Sequence, residues 1–226
     1  MNRSLQGHFF WGNRAPLSSL VGGGLFIMAS NRVAFALVVC GALLWVYGLS
    51  ALCACFFKPL FPKKGKIIIL IFLSAFMANL YLLLLSLASP LLVLGTGFLI
   101  LLTPICCIGS GVLFRPADLH PADFHPADLR PADSHPAEFL SRALLEALTL
   151  GGLILALALI REPIGFAALS LPGGIRGIIE IYSAEGEGFF PVRIISVSAG
   201  GFFLLGYGVA LFYRFRGQDP RPEESP

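Results

Sequence analysis

Five cysteines (Cys40, Cys53, Cys55, Cys106, Cys107) and a few ionisable residues (Arg32, Glu146, Arg161, Glu162, Glu180) sit in or beside long apolar stretches of this chain. Thiolates bind soft metals and clusters, and a carboxylate at membrane depth contacts cations or relays protons. Each type also has an ordinary use. A buried cysteine commonly serves as a small apolar filler. Cys53 and Cys55 are one residue apart, so on a helix they point nearly opposite ways and cannot chelate together. Cys40 stands alone. Arg32, Arg161 and Glu162 fall at the ends of apolar runs, where interfacial water solvates charge cheaply. Glu146 falls about one turn inside a run, which makes it the best single candidate for a cation or proton contact.

Three of the four histidines belong to a tandem repeat of period five at residues 115–139. It reads Arg115-Pro-Ala-Asp-Leu, His120-Pro-Ala-Asp-Phe, His125-Pro-Ala-Asp-Leu, Arg130-Pro-Ala-Asp-Ser, His135-Pro-Ala-Glu-Phe. Its phase resembles pentapeptide-repeat β-helices, yet five units are too few to bury a core between coils. A proline in every unit also removes a ladder donor. Metal capture by His120, His125 and His135 suits the ligand types of zinc or nickel, but the proline-stiffened spacing does not gather them on one face. A low-complexity insertion is the simplest reading. No Walker loop, dinucleotide fingerprint, catalytic triad or zinc-protease helix occurs.

The elements that must position these residues are set by hydropathy. Of 226 residues, 56% are hydrophobic and 13% charged, with a mean hydropathy of +0.81. An ordinary soluble domain carries about 25% charged residues. No Asp, Glu, Lys or Arg occurs through residues 67–114, 33–57 or 194–213. A membrane span needs about 20 apolar residues, so the sequence predicts an all-α polytopic membrane protein. Its net charge of +3 lies in short flanks that orient spans rather than bind phosphate. An odd number of cysteines in such stretches does not suit a secreted disulfide framework. Residues 1–14 do not read as a cleaved signal, because no small-residue cleavage site follows the first apolar run.

Six transmembrane segments are expected, near residues 15–31, 33–57, 67–88, 91–114, 143–160 and 192–213. The chain then divides into an N-terminus (1–14), segments one to four (15–114), the repeat loop (115–139), segments five and six (140–216) and a polar, disordered tail (217–226). Gly22-Gly23-Gly24 disfavours a helix interior by about 1 kcal/mol per residue, which predicts an interrupted first segment. Thr103-Pro104 predicts an interrupted fourth. Interruptions at corresponding places suggest an inverted repeat of two three-helix halves. Lys and Arg number 12 in the loops on the side of both termini and 4 on the other. The positive-inside rule therefore places both termini in the cytoplasm, in the cell membrane, with loop 161–193 outside.

Residues Trp11-Gly-Asn-Arg-Ala-Pro-Leu-Ser-Ser-Leu-Val-Gly22 resemble the start of the first span of the Rnf/Nqr integral-membrane subunits, where the pattern is W-x-N-x-x-x-L-x-x-L-x-G. Leu99-Ile100-Leu-Leu-Thr103 with Cys106-Cys107 is similar to that family's second broken helix. Leu159-Ile160-Arg161-Glu162-Pro163-Ile164-Gly165 is similar to the L-R-E-x-x-G motif of its D/E-type member, which also has six spans and cytoplasmic termini. The resemblance covers nearly the whole chain except the repeat and the tail. It implies a membrane subunit of an ion-translocating oxidoreductase, engaged in electron transfer coupled to ion transport. It also implies a paralogous six-helix partner and a [2Fe–2S] cluster shared between the two, each offering one cysteine per broken helix. Matched from Trp11, the first ligand position falls on Gly24. The second falls on Ile105, with Cys106 and Cys107 one and two residues late. Cys106 and Cys107 are therefore the cofactor-binding candidates, Cys106 being the metal ligand. A stand-alone permease on the same fold and a cluster-free structural subunit are the alternatives. Stoichiometric iron in the purified protein, alone or with its paralogue, marks electron transfer. An iron-free complex that still assembles marks the structural subunit, and a monomer that moves solute in liposomes marks the permease.

Overall fold

The computed structural model describes residues 25, 27–56, 66–109, 136–183, 195 and 197–215. The described chain is mostly helical. Helices α1 (Val33–Phe56), α2 (Lys66–Ala88), α3 (Pro90–Gly109) and α4 (Pro136–Phe166) precede a hairpin of β1 (Ala168–Pro172) and β2 (Ile178–Ser183), and α5 (Ser198–Phe215) follows. The first four helices are long and apolar enough to cross a membrane. The exposed surface of α2 and α3 fits that environment. Ile68, Phe72, Phe76, Leu80, Leu84 and Leu87 form a stripe along α2, and Leu91, Leu94, Phe98, Leu101 and Ile105 are exposed on α3. Water would reject such a surface, whereas lipid tails are as apolar as the side chains.

Helix α1 is central and packs on α2, α3 and α4. Small residues on α1 and α4, among them Ala36 on α1 and Ala143, Ala147 and Ala158 on α4, are fully buried. Gly151 lies in the seam between these two helices: the Sγ of Cys40 occupies the space where a Cβ at position 151 would stand. Close backbone approach of this kind is how helices associate in lipid, where no hydrophobic force drives them together. Several polar side chains within the spans bond to their own helix, while Tyr81 of α2 donates its hydroxyl to Val38 O of α1 at 3.0 Å. Ser74 Oγ donates to Ile71 O (3.0 Å), and Thr96 Oγ1 donates to Leu92 O (2.7 Å).

Segments two and three appear as expected, and the fifth is longer at both ends. Of the first segment only residue 25 and residues 27–31 are described, so the triple glycine and its predicted interruption lie outside the described residues. The repeat lies mostly outside them too, and the tail entirely. Where an interrupted fourth segment was expected, α3 runs unbroken through Pro104. Proline has no N–H for the carbonyl four residues earlier, that of Ile100. Thr103 Oγ1 donates to this same oxygen at 2.7 Å, replacing the lost bond, so the helix continues.

The break between α2 and α3 is a single residue, Ser89, before Pro90 at the first position of α3. The two helices fold back on each other there; a Cβ at Gly97 would stand 3.8 Å from Leu82 Cδ2. The expected outer loop 161–193 starts as helix and continues into the hairpin, so the described fold is not wholly α. Ala167, with a left-handed φ of 52°, ends α4 and turns the chain into β1. β1 and β2 pair antiparallel, with Ile181 bulged out of the ladder. Glycines at 174 and 177, with φ of 62° and 78°, make the turn.

Candidate functional site

At the end of the bundle that carries the hairpin, Arg161 and Glu162 are 2% and 1% exposed. The expectation that interfacial water solvates them does not hold. Both lie in the last two turns of α4 and reach the ends of other elements. Glu162 Oε2 accepts a hydrogen bond from the Val33 N–H at 2.7 Å. This satisfies one of the first N–H groups of α1, and it sets a carboxylate against the positive end of that helix dipole. The next donor, Ala34 N–H, points to Ser170 Oγ on β1 at 3.5 Å.

Arg161 serves the opposite kind of orphan. Its Nη1 donates to Ile27 O at 2.5 Å and to Ser30 Oγ at 3.1 Å, and its Nε donates to Ile195 O at 2.8 Å. One guanidinium thus ties the chain before α1 to the chain before α5, using the fork of fixed donors that lysine lacks. Gly201 makes room for it: a Cβ there would stand 3.0 Å from Arg161 Nη1 and 2.9 Å from Ile27 Cγ2. Nearby, Arg32 pairs with Glu180 of β2 at 3.6 Å and lies 5.3 Å from the Phe166 ring centre. That pair is partly exposed and contributes little. The Arg161–Glu162 junction is a buried lock between α4, the start of α1 and the approach to α5. Sequence reading named both residues but missed their burial. Their partners stand 34 to 134 residues away, and no local pattern announces them.

The other candidates lie toward the opposite end. Cys106 and Cys107 are buried on α3, and half-buried Glu146 on α4 lies within electrostatic range of Cys107. The structure therefore brings these three sequence candidates to one region, away from Arg161 and Glu162. Cys40 fills the α1–α4 seam, and Cys53 and Cys55 are half-buried near the end of α1. Gly24 and the repeat histidines lie outside the described residues.

Among the described residues, α3 can turn at most one thiol toward a cluster. Cys106 and Cys107 are consecutive on a continuous helix, so they point about 100° apart and cannot face one cluster together. Gly24 has no side-chain donor. Among the described residues, no group of three or more His, Cys, Asp or Glu could hold a metal ion. No known family model, curated protein or solved structure matches the chain.

Proposed function

We propose that this chain is a non-catalytic, multi-pass structural subunit of an Rnf/Nqr-like ion-translocating oxidoreductase in the cell membrane, one that supports the electron path without holding a cluster. The observation that carries the structural role is the Arg161–Glu162 lock. Its hydrogen bonds to Ile27, Ser30, Val33 and Ile195 bind elements of this chain to one another. The choice of complex rests on the motifs around Trp11, Thr103 and Arg161. In this reading the first segment and α5 complete six spans in two three-helix halves. Both termini are cytoplasmic, as the distribution of lysine and arginine supports.

The test is purification of the full chain in mild detergent, with iron analysis and identification of what co-purifies. The expected result is a stable complex with a paralogous six-span subunit and no iron attributable to this chain. Stoichiometric cluster iron lost on Cys106→Ser overturns the cluster-free role. Isolation as a single chain that moves cations in liposomes, with transport lost in Glu146→Gln, overturns the subunit role in favour of a permease.

A further inference from the structure

We propose that the β-hairpin is a lipid-binding element, its outer face and the tip residue Ile175 lying in the interfacial layer of the bilayer beside the α2–α3 break. The proposal rests on the membrane reading of the helices and goes beyond it, because a hairpin between two helices could equally stand in water.

The two faces of the hairpin differ in chemistry. Pairing sets Ala168 opposite Ser183 and Ser170 opposite Glu180; between these, Leu169 faces Tyr182 and Leu171 faces Ile179. Successive side chains of a strand point to opposite faces. Ser170 reaches the start of α1 and Glu180 reaches Arg32, so their face is turned to the bundle. The other face carries Leu171, Ile179 and Tyr182, without a charge, while Leu169 beside them packs against the bundle core. Leu171, Ile179 and Tyr182 are exposed, as is bulged Ile181, and Ile175 at the turn is 79% exposed.

Two contacts fix the depth of this face. Ser89 Oγ donates to Gly174 O, and a Cβ at Gly177 would stand 3.0 Å from Leu91 Cβ. Ser89 is the one residue between two membrane-crossing helices, so the hairpin turn is tied to the point where both leave the hydrocarbon. Leu87 and Leu91, exposed on either side of that point, belong to the lipid-facing surface of α2 and α3. The apolar face of the hairpin continues that surface. Amphipathic segments at this depth bury their apolar side roughly 5–10 Å into the headgroup–acyl boundary. Tyr182 has the amphipathic ring favoured at that boundary.

The experiment places a tryptophan at the tip (Ile175→Trp) or on the strand face (Ile179→Trp) of the full chain. Each variant is reconstituted into phosphatidylcholine vesicles brominated near the headgroup or near the chain ends. Emission is read as the difference from the parent, which carries Trp11 and Trp45. Ile175 is exposed at the tip, whereas Ile179 lies over Gly173, so the tip variant is the primary reading. The expected result is added, blue-shifted emission, quenched more by shallow bromines than by deep ones. Water-like, unquenched emission at both positions overturns the proposal while leaving the membrane reading intact, provided the protein resists carbonate extraction. Blue-shifted emission that no brominated lipid quenches also overturns it, and shows the face covered by protein. Carbonate extraction of the protein itself overturns the membrane reading together with the proposal.

Discussion

At the scale of single residues, Arg161 and Glu162 illustrate how a buried charge is tolerated in an apolar protein. Taking an ion from water costs several kcal/mol, and only good geometry with further hydrogen bonds offsets that. Here the offset comes from backbone groups that helix ends leave unpaired in any case. Arg161→Leu is expected to leave the Ile27 and Ile195 carbonyls without this donor, at about 1–3 kcal/mol for each group. Arg161→Lys should recover only part, since one ammonium cannot reach both sides as the guanidinium fork does. Glu162→Ala removes the cap of α1 and should cost about 1–2 kcal/mol. Thermal unfolding in detergent measures all three. Equal stability of Arg161→Leu and the parent would show that the lock contributes nothing.

At the scale of elements, two local choices decide where helices stop. In α3 the hydroxyl of Thr103 replaces the donor that Pro104 lacks. Thr103→Val should therefore destabilise by about 1 kcal/mol in the parent. It should cost much less in a Pro104→Ala background, where the alanine N–H serves the Ile100 carbonyl. A double-mutant cycle reads this coupling directly, and additive effects would refute the replacement. At the end of α4, Ala167 adopts a left-handed backbone that costs a non-glycine residue roughly 1–2 kcal/mol. Ala167→Gly should relieve part of that and raise the unfolding temperature. A lower temperature would mean that the turn gains more from chain stiffness than it loses in strain.

At the scale of the molecule, the end of the bundle with the hairpin collects the starts of α1 and α3 and the ends of α2 and α4. In sequence, the basic stretch Lys58, Lys63, Lys64 and Lys66 separates the end of α1 from the body of α2. In the proposed topology, which follows the positive-inside rule, the hairpin is outside and both termini are cytoplasmic. A C-terminal tag should accordingly resist protease added from outside; its cleavage there would invert the topology. Deletion of residues 115–135 should leave insertion and yield near normal, because loop length changes closure entropy slowly. The cut spares α4, which begins at Pro136. Loss of folding or of partner binding would instead make the repeat a docking element.

Much of the bundle was legible in the chain itself. Uncharged runs of membrane length require helices, because hydrocarbon leaves backbone groups no partner outside their own segment. Ser89-Pro90 marked the α2–α3 break for an equally local reason. Pro104 misled, since its effect depends on whether a neighbouring hydroxyl meets the freed carbonyl, a matter of rotamer rather than residue type. The hairpin was hidden among the residues of an expected loop; its short alternation in Ile178–Ser183 gains meaning only against the start of α1. The lock at Arg161 and Glu162 was the least legible. Sequence determines that two charges adjoin an apolar run, and hydropathy alone then favours water at the span's end. Only the tertiary structure, by bringing the carbonyls of Ile27 and Ile195 and the amide of Val33 to one place, decides that these charges are buried, because the groups that stabilise them are backbone atoms far away in the chain.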